Sequence, residues 1–211
     1  MVVELIQTVE EADSSESLLE AVQALAAARE PEALSTLITV LGYNNPGAAV
    51  AAVDGLIELG EIAVEPLLEQ LDGYNYGARA WAIRALAGIG DPRGLEILLE
   101  AAANDFALSV RRAAARGLGT IRWEALSAER TPAEQQRVAA VLMQASEEDP
   151  EWVVRYAAVV GLQGLASAVK PNHPEWVEQI LTRLKEVANT DETLAVCARA
   201  LLAIQELSIG T

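Results

Sequence analysis

The chain has 211 residues and a formal net charge of −16, with 15 Lys and Arg against 31 Asp and Glu, so it repels phosphate backbones and is a poor candidate for nucleic-acid binding. Apolar residues make up 52% of it, too many for a disordered chain, and Ala leads the apolar set while aromatics are only 4%. A single cysteine, Cys197, excludes an internal disulfide and fits a reducing compartment.

The start, Met1-Val2-Val3-Glu4-Leu5, has neither a basic flank nor a long apolar stretch. No apolar run reaches the roughly 20 residues that span a bilayer, so a cytoplasmic protein without membrane insertion is expected. The first helical stripe contains Leu18, Val22 and Leu25, and the second contains Ala49, Val53, Leu56 and Leu59. Between Ala78 and Ile89 the pattern sharpens to Ala78, Trp81, Ala82, Ala85, Leu86 and Ile89, one buried face of a helix. Val110, Ala113, Ala114, Gly117, Leu118 and Ile121 repeat it, and Val154, Ala157, Ala158, Gly161, Leu162 and Leu165 repeat it again. A last, weaker copy contains Leu194, Cys197, Leu201 and Ile204.

Partner helices are expected at Pro31–Leu41, Val64–Leu71, Gly94–Ala102, Thr131–Ala145 and Glu175–Val187. Start signals stand near them at Glu30-Pro31, Asp91-Pro92, Thr131-Pro132 and His173-Pro174. Turn signals such as Asn44-Asn45-Pro46-Gly47 and Glu148-Asp149-Pro150 separate the pairs. The period is about thirty residues, broken by insertions at Arg122–Arg130 and Val169–Pro174. This predicts an all-α, HEAT-like α-α superhelix of about six helical hairpins, one domain over residues 1–211.

Catalytic signatures are missing. His173 is the only histidine, which excludes a His-rich metal site and disfavours a Ser-His-Asp triad; it reads as an exposed loop residue. Cys197 lies in core phase and reads as a small buried side chain. Gly88 and Gly90 end a helix rather than follow a strand, so they form no phosphate loop.

The register carries more. Arg79, Arg111 and Arg155 share one helix position, and Asp72, Asp105 and Asp149 precede them in the adjoining turns. Such residues either link neighbouring turns by charge-assisted hydrogen bonds or face a carboxylated ligand. Arg84 and Arg116 share an off-core position, with Val160 as the next equivalent, and Arg112 and Tyr156 share another. In a stacked array these form a basic strip able to grip carboxylates, or simply a solvated face. Tyr76 and Trp152 are equivalent, two residues ahead of the helix phase, with Tyr74 and Phe106 in the same class of turn. Trp123 and Trp176 belong to the insertions, and Trp81 is assigned to the core. Turn aromatics beside arginines suit a flat conjugated anion.

The run Tyr76-Gly77-Ala78-Arg79-Ala80-Trp81-Ala82-Ile83-Arg84, continuing through Gly88-Ile89-Gly90-Asp91-Pro92 to Asp105-Phe106-Ala107-Leu108-Ser109-Val110-Arg111-Arg112, resembles the E/F-type phycobilin lyases of cyanobacteria, in their smaller F-type subunit. The Phe-Ala-Leu-Ser-Val-Arg-Arg stretch is the most specific part. The resemblance implies a heterodimer with a larger E-type repeat subunit and covalent attachment of phycocyanobilin to a cysteine of the apo-phycocyanin α subunit through a thioether. Phycocyanobilin is then the substrate, with no permanently bound cofactor and no metal. It also implies that Arg84, Arg112 or Arg116 hold propionates, and that Asp105 or Asp149 contact pyrrole N–H groups or transfer a proton, with Tyr74, Tyr76, Arg79, Trp152 and Tyr156 lining the bilin. Isomerising relatives carry an adjacent His-Cys pair; here His173 and Cys197 are far apart, which implies attachment without double-bond isomerisation. A non-catalytic repeat scaffold or a bilin chaperone are the alternatives.

Overall fold

The computed structural model describes residues 1–71 and 76–209. These residues form twelve α-helices and no strand. The helices fall into six consecutive hairpins, as the repeat predicts. Where the sequence reading runs one array through residues 1–211, the chain divides into two compact units, Met1–Gly94 and Leu95–Thr211.

The first unit pairs α1 (Val2–Glu10) with α2 (Ser15–Ala28), α3 (Leu34–Val40) with α4 (Pro46–Leu59), and α5 (Val64–Gln70) with α6 (Tyr76–Ile89). The second members pack side by side, α2 on α4 and α4 on α6, and each covers its own partner. Helix α1 was not apparent in the sequence pattern and supplies the missing partner of the first hairpin. Ser14 begins α2 with a reciprocal cap: its Oγ accepts from the Ser17 N–H at 3.1 Å, while the Ser17 hydroxyl accepts from the Ser14 N–H at 3.1 Å. Asn45 caps α4 by accepting from the Ala48 N–H at 3.0 Å, and its amide donates to the Ser15 carbonyl at 3.0 Å, tying two hairpins together. Val22, Leu25, Val53, Leu56, Ala82 and Leu86 are buried, as their stripe predicts. Each large aliphatic among them stabilises the fold by about 1.5–3 kcal/mol through burial. Trp81 departs from its core assignment: it is half-buried against the edge of the core, with the Arg84 guanidinium 5.5 Å from its ring centre.

The second unit pairs α7 (Leu95–Asn104) with α8 (Leu108–Leu118), α9 (Thr131–Glu148) with α10 (Trp152–Val169), and α11 (Pro174–Thr190) with α12 (Leu194–Ile209). Helix α10 is its centre, packed on α8 and α12 and backed by α9. By length and mean hydropathy α10 is apolar enough to cross a membrane, but 56% of it is buried inside the protein, and it is the core helix of this unit. Its close contact with α8 depends on glycine: a Cβ on Gly161 would lie 2.4 Å from the Ala115 carbonyl oxygen and one on Gly164 only 2.2 Å from that of Gly119. Both obstacles are backbone, so any side chain there forces the helices apart.

The register of α12 corrects the sequence reading. The buried positions are Val196, Ala200, Ala203 and Leu207, whereas Leu194 is 85% and Leu201 58% exposed, and Cys197 is only half-buried. Val196 is therefore the counterpart of Val110 and Val154. His173 is likewise not an open loop residue. It precedes α11 with its ring stacked on Trp176, centroids 3.9 Å apart, and 28% of its side chain exposed.

Candidate functional site

The second unit repeats one turn three times. Asp105, Asp149 and Asp191 each stand just ahead of an inner helix, and each carboxylate accepts the N–H two residues on: Ala107 at 2.9 Å, Glu151 at 2.9 Å and Thr193 at 2.8 Å. The side chain six residues after each Asp returns to that Asp's carbonyl. Arg111 donates to Asp105 at 2.8 Å, Arg155 to Asp149 at 2.9 Å, and the Cys197 thiol to Asp191 at 3.1 Å.

The arginines also reach forward. The Arg111 Nε donates to Asp149 Oδ2 at 2.7 Å and its Nη2 to Oδ1 at 3.1 Å; Arg155 binds Asp191 with the same two distances. These are two-pronged pairs linking α8 to the turn before α10, and α10 to the turn before α12. They are nearly dry, with 12% and 7% of the Arg111 and Asp149 side chains exposed and 7% and 5% of Arg155 and Asp191. Hydrogen bonding to their carboxylates holds both guanidiniums above the ordinary arginine pKa, against the opposing effect of burial. Burial pushes the Asp191 carboxyl up, but hydrogen bonds from Arg155 and the Thr193 N–H, with the Arg155 charge, outweigh it and hold the pKa below the ordinary value.

Of the two readings of this register, the inter-turn link is the one the geometry realises for Arg111 and Arg155. Asp149 and Asp105, expected to handle protons, are both engaged in this register. Both oxygens of Asp149 already accept from Arg111, and Asp105 Oδ1 caps its own turn. The cleft of about 730 Å³ beside Asp149, Arg155 and Asp191 is walled by Glu147, Glu148, Glu186 and Glu192, which suits no carboxylated ligand. Asp191 and its third copy of the turn were missed in the sequence because Cys197 stands where an arginine was sought.

The residue after each linking arginine points outward. Arg112 and Tyr156 occupy this position on packed neighbours α8 and α10, both exposed, Tyr156 at 37%. Arg116 lies one turn beyond Arg112 on the same helix face and is also exposed. One turn ahead of Tyr156, on its face, Trp152 is 46% exposed. Among the described residues neither the Arg112 nor the Arg116 guanidinium has an ion-pair or hydrogen-bond partner, although the chain carries 31 carboxylates. Two guanidiniums without partners and two exposed aromatics thus stand on the neighbouring helices α8 and α10.

The other predicted residues belong to the first unit. Tyr76 is 39% exposed at the start of α6, and the Arg79 guanidinium lies 6.0 Å from its ring centre. Arg84 is exposed and lies over Trp81. Arg84 and Arg116, aligned in the sequence, thus sit in separate units. Tyr74 and Asp72 lie outside the described residues. Among the described residues no group of His, Cys, Asp and Glu is arranged to hold a metal.

Comparison with known proteins decides the family. Residues 64–163 match the model of the HEAT repeats. Over 204 residues, 97% of this chain and 72% of its relative, the sequence is 58% identical to phycocyanobilin lyase subunit beta of Pseudanabaena tenuis. The chain belongs to the phycocyanobilin lyase beta-subunit family. A second member, phycocyanin alpha phycocyanobilin lyase CpcF of Synechocystis sp., is 62% identical over 162 residues, 77% of this chain and 75% of that one. The solved complex of CpcE and CpcF of phycocyanin lyase from Nostoc sp. contains a chain 51% identical to this one, with a TM-score of 0.73, covering 82% of this chain and 99% of that chain.

Proposed function

We propose that this chain is one subunit of a heterodimeric bilin lyase, paired with an E-type subunit, that joins phycocyanobilin to a cysteine of the apo-phycocyanin α subunit in the cytoplasm. The relatives named as phycocyanobilin lyase and the CpcE–CpcF complex support the activity and the pairing. Phycocyanobilin is the substrate. The acceptor thiol adds across the bilin's ethylidene double bond: one S–C bond forms, the thiol proton ends on the neighbouring ring carbon, and nothing leaves.

This chain contributes positioning. The unpartnered Arg112 and Arg116 carry the reading: each presents a planar fork to a propionate, and together they neutralise the substrate's two negative charges. Trp152 and Tyr156 support the pyrrole rings from the adjoining helix. The Arg111–Asp149 and Arg155–Asp191 pairs tie α8 to the turn before α10 and α10 to the turn before α12, fixing the frame that carries these four residues. Holding the bilin extended and still converts a slow encounter into an oriented one. Tyr76, Arg79 and Arg84 form a second aromatic–arginine set in the first unit.

Reconstitution tests the reading. The chain mixed with its E-type partner, phycocyanobilin and apo-phycocyanin α is expected to yield a red-fluorescent adduct that survives denaturation and shows zinc-induced fluorescence in the denatured band. It should absorb as phycocyanobilin. An adduct lost on denaturation indicates a chaperone; no adduct indicates a scaffold; a phycoviolobilin spectrum contradicts attachment without isomerisation.

A further inference from the structure

The buried stripe of α9 contains a residue of the wrong polarity. Val138, Leu142 and Ala145 are apolar, as a core stripe requires, but Gln135 begins the stripe and is only 6% exposed. The same step on α11, ten residues before Val187 as Gln135 is ten before Ala145, holds Val177. Among the described residues the Gln135 carboxamide has no hydrogen-bond partner. Taking an amide out of bulk water without a partner costs stability, and nothing in the packing of α9 requires it.

Gln135 borders a cavity of about 240 Å³ between α9, α10 and α11. Leu165, Val169 and Ile180, each 1% exposed, line it beside Gln135. Trp176 is a further wall, and His173 stacks on that ring with centroids 3.9 Å apart and planes 10° apart, which fixes its position. None of the residues lining the cavity is charged, in a protein whose charged residues make up 22% of the sequence. An apolar cavity of about 150 Å³ already accepts benzene, so this one has room for a substituted single ring.

We propose that this cavity binds an uncharged single ring that carries a lactam, an amide closed into the ring so that its N–H and C=O share one edge. The Gln135 carboxamide presents a donor and an acceptor side by side, so a lactam pairs with it twice: the ring N–H donates to the Gln135 oxygen, and the ring carbonyl accepts from the Gln135 nitrogen. The apolar part of the ring lies against Leu165, Val169, Ile180 and Trp176. A carboxylate finds no cation here, and a plain hydrocarbon ring leaves the amide unpaired. Leu165 is more than two turns beyond Tyr156 on α10 and is buried where Tyr156 is exposed, so this site is additional to the α8–α10 face. The terminal rings of a linear tetrapyrrole are lactams, so a free lactam and an end ring of phycocyanobilin share the chemistry.

The probe is 2-pyridone, titrated into the nitrogen-15-labelled chain and followed by NMR. It should shift the Gln135 side-chain amide and the Trp176 indole N–H resonances saturably. N-methyl-2-pyridone, which cannot donate, should bind at least about tenfold more weakly. Gln135→Leu keeps the volume and drops the amide; it should melt at or above the wild-type temperature and bind 2-pyridone at least about tenfold more weakly. Should that variant fail to fold, Ala140→Phe, at an exposed position on the cavity rim, should abolish the shifts. No saturable shift in the wild-type chain, equal affinity for the two probes, or wild-type affinity in either folded variant overturns the proposal. Phycocyanobilin then separates the two sources: displacement of 2-pyridone supports an end ring of the bilin as the occupant, and undisturbed binding supports a free lactam. None of these readouts needs an adduct to form, so failure of the lyase reading leaves the site assigned.

Discussion

Replacing Arg112 and Arg116 together with glutamine is expected to abolish phycocyanobilin transfer while leaving the heterodimer and the melting temperature unchanged. Each guanidinium–propionate contact is a charge-assisted, two-pronged hydrogen bond of about 1.5–3 kcal/mol. Losing two removes roughly 3–6 kcal/mol, and each 1.4 kcal/mol is tenfold, so the rate at low bilin concentration should fall at least about 100-fold. Neither side chain has a partner to lose, and exposed substitutions of that kind change stability by about 0.5 kcal/mol or less. The double lysine variant separates charge from shape: it keeps the attraction, loses the planar fork, and should retain part of the activity. Transfer at the wild-type rate in the glutamine variant, measured as zinc-fluorescent adduct against time, would remove these residues from the mechanism.

The second large effect is on stability. Arg155→Ala leaves the Asp191 carboxylate nearly buried without its counter-ion, a loss of about 3–5 kcal/mol. In a chain of this size that lowers the melting temperature by roughly 10 °C. The pH dependence follows from Asp191, whose folded pKa lies below its unfolded value. Its contribution is therefore fully present above the unfolded pKa of about 3.9, and it is lost as pH falls through the folded value. Wild type and Arg155→Ala should differ most near neutral pH and converge in strong acid. A constant difference down to that range, read from chemical unfolding at several pH values, would show that the pair is not what holds α10 to the turn before α12.

The sequence declared much of this architecture because the inner helices state their buried faces clearly. In α10, Val154, Ala157, Ala158, Gly161, Leu162 and Leu165 are all buried, as their spacing demands, and α8 differs only at the half-buried Ala113. Helix α12 failed the same logic for a physical reason. With apolar residues at nearly every position, several stripes fit, and large leucines were favoured over Val196, Ala200 and Ala203, which pack closely because they are small. The arginine ladder was legible as a register but not as a set of partners. Arg111 finds its carboxylate 38 residues away, across an insertion whose path no periodicity describes. The same distance effect hid the fate of Asp149: the sequence shows an acid beside a turn, whereas the fold shows both of its oxygens already engaged. Arg112 and Arg116 were visible as a basic strip, but their lack of any carboxylate partner belongs to the folded state alone.

The most direct measurement of the central claim is a structure of the heterodimer with phycocyanobilin bound. The propionate oxygens should lie about 3 Å from the Arg112 and Arg116 guanidiniums, with a pyrrole ring against Trp152 or Tyr156. Propionates held elsewhere, with both arginines left in solvent, would contradict it.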